Sequence, residues 1–403
     1  MINKKTIYCL GLLITTSNLF SYSPLTQAQT VKPAGPEICL DTFQACFGEP
    51  PVYYTEKPKI QVAILLDSSN SMEGLIDQAR SQIWSVVNAL NNVTKNGESP
   101  LIEVSLYHYG NDTLPSSEGF NRMLNELTTD LDLISENLFS IKTKGGQEYA
   151  GWVIDSAIKQ LKWSNNPKDF RVIFIAGNEP FNQGTFDWQK AIKSALQKDV
   201  IVNTIYCGNS EASDSELWAN AANQGKGSYF NLNQNQKIVT IPTPYDAEIA
   251  QLNRELNETY IYYGLQGRDL WQRQMAQDNN AFSSPNSNAG YDRAISKGSG
   301  SYRNSSWDLV DAVTEDRVDL NTIDKNLIPD NYRRMSIPDL HKKIEEMIKK
   351  RTEIREKIAE LGKKRAEYIA KNTPKQDVDK TLDNLMISAL YKQLEGKGFL
   401  VKK

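Results

Sequence analysis

From about residue 59 the chain alternates compact apolar runs with stretches in which apolar residues recur every three or four positions. Gln61–Leu66, Ile102–Tyr109, Arg171–Ala176 and Val200–Tyr206 have the pattern of strands covered on both faces. Between the first two, Ile76, Ala79, Ile83, Val86 and Leu90 share one helical face, and Val153, Ala157 and Leu161 do so further on. Helices are also predicted over Asp132–Phe139, Asp187–Lys198 and Ser215–Ala222, and a short extended piece over Ser228–Leu232. Strands and helices in alternation predict an α/β fold, a doubly wound and mostly parallel sheet. Ligands of such sheets bind outside the carboxyl ends of the strands.

The rhythm changes after Asp246. Asp246–Tyr263 is predicted to be a helix closing the α/β domain, and residues 265–330 a loop-rich connection. Within that connection, Phe282–Ser306 is rich in Ser, Asn and Gly, a loop composition, before Trp307–Val313 resumes helical spacing. Residues 331–403 are predicted to be all helical. Ile344, Met347, Ile354, Ile358, Leu361 and Tyr368 follow a 4-3 alternation with Arg351 and Arg365 in the same seam, the pattern of a coiled coil with polar interruptions. Pro374 ends that helix, and Thr381–Leu390 is a second one able to fold back or to support a homo-oligomer.

Composition narrows the class. In 403 residues, 39% are hydrophobic and 24% charged, enough for a sizeable core, and the net charge of −3 argues against nucleic acid as a partner. Residues 1–28 are predicted to be a signal peptide: Lys4 and Lys5 precede the apolar run Thr6–Ile14, and Thr26-Gln27-Ala28 offers a small-residue cleavage site. No stretch has the length of a transmembrane helix, so the expected product is exported, periplasmic or extracellular. Residues 29–58 form a Pro-rich segment in which Cys39 and Cys46 frame a short loop, and export permits a disulfide between them. Cys207 ends an apolar run and is expected to be a buried free thiol.

The first predicted strand ends in Asp67-Ser68-Ser69-Asn70-Ser71, just before an amphipathic helix. One carboxylate and two hydroxyls are hard oxygen donors suited to Mg²⁺, with Mn²⁺ or Ca²⁺ as alternatives. With this Asp-x-Ser-x-Ser pattern at a strand end, residues 59–264 resemble the von Willebrand factor type A domain, of the exported bacterial type, and its metal-ion-dependent adhesion site. The resemblance implies that two further loops complete the site, one with a threonine and one with an aspartate. Here Gln147 stands in the threonine slot, with Glu148 beside it, and Gly177 in the aspartate slot, followed by Asn178 and Glu179. The variant ligand set expected is therefore Asp67, Ser69, Ser71 and Glu148, with Asn178 or Glu179 adding an oxygen. The resemblance also implies a non-catalytic site at which a protein partner's carboxylate completes the ion's coordination. Tyr149, Phe181 and the loop around Asn111 and Asp112 are the candidate partner contacts.

Enzyme readings are weaker. A phosphatase of the Asp-x-Asp type needs a second carboxylate where Ser69 stands. There is no phosphate-binding Gly-rich loop followed by Lys-Ser/Thr, and no Gly-x-Ser-x-Gly elbow to accompany His108 or His341. The expected function is protein–protein interaction in adhesion or complex assembly. The alternative is a metal-independent scaffold assembled through the C-terminal helices, and a metal-dependent hydrolase is a distant third.

Overall fold

A computed structural model of the chain describes residues 57–233, 235, 240–284, 288–373 and 381–402. The expected signal peptide and the Cys39–Cys46 disulfide lie outside them. The strands and helices of the first half are β1 (Lys59–Asp67), α1 (Glu73–Asn91), β2 (Val93–Thr94), β3 (Leu101–Tyr109), β4 (Asn121–Thr128), α2 (Leu131–Ser140), α3 (Ala150–Gln160), β5 (Phe170–Gly177), α4 (Trp188–Gln197), β6 (Ile201–Tyr206), α5 (Ser213–Gln224) and β7 (Lys226–Asn231). Then follow α6 (Asp246–Asn257), α7 (Gly267–Ser283), α8 (Asn288–Gly298), α9 (Leu309–Thr314), α10 (Asp330–Arg333), α11 (Ile337–Asn372), α12 (Leu382–Gly396) and β8 (Leu400–Val401).

Six strands form one sheet in the order β4-β3-β1-β5-β6-β7. All neighbours are parallel except β4, which runs antiparallel to β3 at the edge. The sheet is buried on both faces because side chains alternate along each strand. Ile60, Val62, Ile64 and Leu66 of β1 join a core with α1, α8, α11 and α12. Ala63 and Leu65 join a second core with α3, α4 and Trp218 of α5. This double cover is why β1 appears in the sequence as an unbroken apolar run.

Two parts of the sequence reading need correction. The edge strand β4 was not foreseen, and the Ser/Asn/Gly-rich stretch 282–306 contains a helix, α8, preceded by the long α7. Burial overrides the weak local propensity of α8: Ala289, Arg293, Ala294 and Lys297 are buried. Its Gly290 lies so close to the Phe282 ring that a Cβ there would come within 2.4 Å of it.

The C-terminal helices also differ from a free coiled coil. Ile344, Ile354, Ile358 and Leu361 of α11 are buried within the chain's own cores. The two seam arginines meet acidic partners there. Arg351, 2% exposed, donates to Asp308 at 2.5 Å, to Asp311 at 2.7 Å and to the Thr259 carbonyl at 2.6 Å. Arg365 reaches Asp246 at 3.0 Å and Asp292 at 2.9 Å. Helix α12 returns to α1, where the Asp383 amide donates to Gln82 at 3.0 Å and Tyr391 to the Ala89 carbonyl at 3.1 Å. Finally β8 pairs antiparallel with β2. The described residues thus form one compact unit, and most of the seam expected to drive self-association is used internally, with Met347 half-buried and Tyr368 36% exposed.

Replacing Arg351 with methionine keeps the apolar stem but leaves Asp308 buried without its cation, and Asp311 with only the more distant Arg303 and Arg355, each at 3.7 Å. Stability is expected to fall by about 3–5 kcal/mol, the range for breaking a buried ion pair from one side. Urea unfolding checks this: the midpoint should drop with little change in slope.

Candidate functional site

The site begins where β1 runs out of sheet. Asp67 pairs in register with Tyr109 at the end of β3, and the next residue turns away: the Ser68 amide donates to the Tyr109 carbonyl at 2.8 Å. Ser68 is itself buried and lies 3.0 Å from His108 Nδ1. Burial, reinforced by the charge of Arg122, lowers the His108 pKa to about 4, so this histidine is a neutral structural partner. Asp67 Oδ1 accepts the Ser69 amide at 2.8 Å, a local turn that directs the chain into a short 3-10 segment and then α1. Ser69 Oγ and Ser71 Oγ are 3.0 Å apart, and Ser71 Oγ is 3.1 Å from the Asn178 side-chain amide.

A second loop closes over the aspartate. The Lys144 amide donates to the Ser68 carbonyl at 3.0 Å, and the Asp112 amide to the Gly145 carbonyl at 2.8 Å. This brings Glu148 beside Asp67, with the two residues 5% and 0% exposed. Gly110, at φ +73°, makes the approach possible: a Cβ there would come within 2.6 Å of Asp67 Oδ1 and 2.7 Å of Glu148 Cγ.

The electrostatics of this pair are unusual. With both groups ionised, the buried Asp67 Oδ2 and Glu148 Oε2 have no hydrogen-bond partner among the described residues. Burial, and then the hydrogen bond and charge of Glu148, raise the Asp67 pKa well above the carboxylate range. Burial raises that of Glu148 too, although Asp67 and Ser69 act against it. Two adjacent buried carboxylates cannot both ionise without a counter-charge. A divalent cation supplies one, and the donor set of Asp67, Glu148 and the Ser69 and Ser71 hydroxyls is of the hard-oxygen type that Mg²⁺ prefers.

Not every predicted residue joins. Among the described residues no three acidic, His or Cys side chains converge as a metal cluster, and Glu179 acts on the pair through its backbone amide and through its charge, which raises the Glu148 pKa. The Glu179 carbonyl accepts Trp218 Nε1 at 2.8 Å. The Gly177 slot has no room for the missing aspartate, because a Cβ there would meet the Tyr109 hydroxyl at 2.4 Å. That hydroxyl is held by the Ala176 carbonyl at 3.0 Å.

Of the expected partner contacts, Phe181 is wholly buried, edge-on to Trp188 and Trp218, and is not offered to a partner. Asn111 is buried as well. Its amide donates to the carbonyls of Ser68 and Lys142, and its oxygen accepts from Thr113, so it fastens loops together. Asp112 is exposed and Tyr149 half-buried. Tyr149 belongs to a row the sequence did not reveal: Phe120 lies edge-on to it at 5.7 Å, Trp152 stacks on it at 6.3 Å, and Phe186 follows at 6.1 Å from Trp152. These rings come from three separate segments, so no spacing in the chain announces them.

The family model of the von Willebrand factor type A domain matches residues 61–243. Among solved structures, the chain is similar to proximal thread matrix protein 1 from the mussel byssus with a zinc-occupied MIDAS motif, at 12% identity and a TM-score of 0.33, covering 43% of this chain and 42% of that one. It is also similar to the SpRpn10 VWA domain, at 18% identity and a TM-score of 0.32, over 45% of this chain and all of that one. The pilus adhesin SpaC from Lactobacillus rhamnosus GG matches at 11% identity and a TM-score of 0.33, over 44% of this chain and 28% of that one. The chain thus spans under half the length of both the mussel protein and the adhesin. No curated protein matches it. Residues 61–243 thus match the von Willebrand factor type A domain model, on a mostly parallel sheet that carries Asp67 at a strand end.

Proposed function

We propose that this domain captures a protein partner at the strand ends around Asp67 through a divalent cation, Mg²⁺ or a similar hard ion. Asp67, Ser69, Ser71 and Glu148 would hold the ion, with Asn178 at the rim. The observation that carries this reading is the pair of partnerless buried oxygens, Asp67 Oδ2 and Glu148 Oε2. Their burial is unfavourable unless a cation or a proton lies between them.

A bound ion supplies positive charge and a coordination position for a carboxylate of the partner. Glu148, an extra carboxylate beside the threonine slot that Gln147 fills, reduces the charge left for that ligand, so the grip on an acidic partner is weaker and more readily released. Beside the site, Tyr149 and its neighbouring rings offer half-buried apolar surface that a partner can cover. The role is binding without chemistry, in a protein exported to the periplasm or beyond. Assembly of a metal-independent scaffold through α11 is disfavoured, because Ile344, Ile354, Ile358 and Leu361 of its apolar seam are buried in its own chain.

Mg²⁺, Mn²⁺ or Ca²⁺ should raise the melting temperature and chelator should reverse the gain, as for any ligand specific to the folded state. At a hundredfold excess over Kd the stabilisation is about 2.7 kcal/mol. Asp67→Ala should abolish the shift. A response equal in wild type and variant would place the ion elsewhere.

In chelator the pH dependence has a definite sign. Both carboxyls have raised pKa values in the folded state, so the folded chain binds protons that the unfolded chain releases. The pair's contribution is fully present below the ordinary carboxylate pKa and is lost as pH rises through the raised values. Glu148→Gln should flatten this fall in a series of melts at increasing pH.

A further inference from the structure

Away from the strand-end site, α6, α7 and α8 enclose a polar cluster with its own reactive geometry. Lys297 is wholly buried, and Asp278 nearly so. The Lys297 Nζ donates to Asp278 Oδ2 at 2.8 Å and to Asn257 Oδ1 at 2.5 Å. Asp278 Oδ2 also accepts the Asn257 Nδ2 at 2.6 Å, so one carboxylate oxygen touches both the amine and the amide nitrogen. Gln274 Nε2 donates to Asn257 Oδ1 at 2.9 Å, polarising the amide carbonyl. Arg293 Nε binds the other oxygen of Asp278 at 2.6 Å. Tyr260 lies 5.7 Å from the Lys297 ammonium and helps to wall the cluster from water.

This is the placement that an acyl transfer between side chains requires: a nucleophile, a carbonyl, a base and an oxygen-stabilising donor, all held in contact. We propose that Lys297 and Asn257 join through an intramolecular amide bond, with Asp278 as the proton carrier. Asp278 takes a proton from the ammonium, and the freed lone pair of Nζ attacks Asn257 Cγ. The Nζ–Cγ bond forms, and the developing charge on Oδ1 is met by Gln274. Asp278 passes the protons from Nζ to Nδ2, and the Cγ–Nδ2 bond breaks. An ammonium ion departs with the positive charge that Lys297 carried, and Asp278 ends as the carboxylate it began. No electrons are transferred and no co-reactant is needed.

Two features favour the step. Burial lowers the Lys297 pKa to about 8, even against the attraction of Asp278, so the neutral amine is accessible. Arg293 gives Asp278 a counter-charge that survives the loss of the lysine's. Amides and amines do not condense readily in water, but fixed contact replaces the collision that the reaction otherwise requires. The product would tie α6 to α8 covalently.

The mass of the denatured full-length chain tests this directly, because the bond persists without the fold. The expected wild-type mass is one ammonia lower than the sum over its sequence from the N-terminus actually present. Proteolysis should yield a branched peptide containing both Asn257 and Lys297. Lys297→Met and Asn257→Ala should each restore the full mass, and Asp278→Asn should leave most of the chain unlinked. A wild-type chain at its full summed mass overturns the proposal. So does a deficit that persists in Lys297→Met, which would place the ammonia loss elsewhere.

Discussion

The sheet is covered on both faces, and that constraint organises the molecule. Along β1 every residue from Ile60 to Asp67 is buried, with alternate side chains entering two different cores. A strand so enclosed has no solvated face on which to place polar groups, so function is displaced to its carboxyl end. Asp67 is the point at which the apolar pattern stops and the backbone turns. There it remains buried, because the loops after β3 and before α3 fold over it. Residues fastening those loops, such as Asn111 and Gly110, are therefore as necessary to the site as the oxygen donors.

The helices after the sheet extend the same logic with charge. The helices from α6 to α12 bury arginines among their apolar residues. Arg293, Arg351 and Arg365 are each nearly or wholly buried, and each is matched to two aspartates. Such pairs contribute little net stability relative to apolar packing, yet any mismatched arrangement strands a charge in low dielectric. Their effect is to specify one arrangement of helices. Arg351 shows this well, since its partners Asp308 and Asp311 flank the start of α9 and its carbonyl acceptor, Thr259, follows α6.

The strand-end site and the α6–α8 cluster use buried carboxylates in opposite ways. Asp278 is surrounded by cations and donors, and Lys297 and Arg293 overcome the effect of burial to hold it ionised. Asp67 faces another carboxylate, and burial together with that neighbour raises its pKa. The first arrangement carries its own counter-charges, whereas in the second the two carboxyls face each other.

The local order of β1, α1, β3, β5 and β6 was legible because each element carries a periodic pattern that its own burial imposes. The linear motif Asp67-x-Ser69-x-Ser71 was legible for a similar reason: its donors are adjacent in the chain. The edge strand β4 escaped notice because only one edge is paired and its burial is shallow and uneven. Helix α8 escaped because its Ser, Asn and Gly content favours a loop until α1 and α6 cover it. The C-terminal seam was read as that of a coiled coil, because periodicity marks an apolar helix face but does not say what covers it. Aspartates distant in sequence decided that. The same limit applies at the site. The chain alone placed Glu148 next to a threonine slot held by Gln147, but only the fold set its carboxylate against Asp67, filled the aspartate slot at Gly177 with the Tyr109 hydroxyl, and removed Phe181 from the surface. Sequence determines what neighbouring positions can do together, whereas contacts between distant segments depend on how the whole core closes.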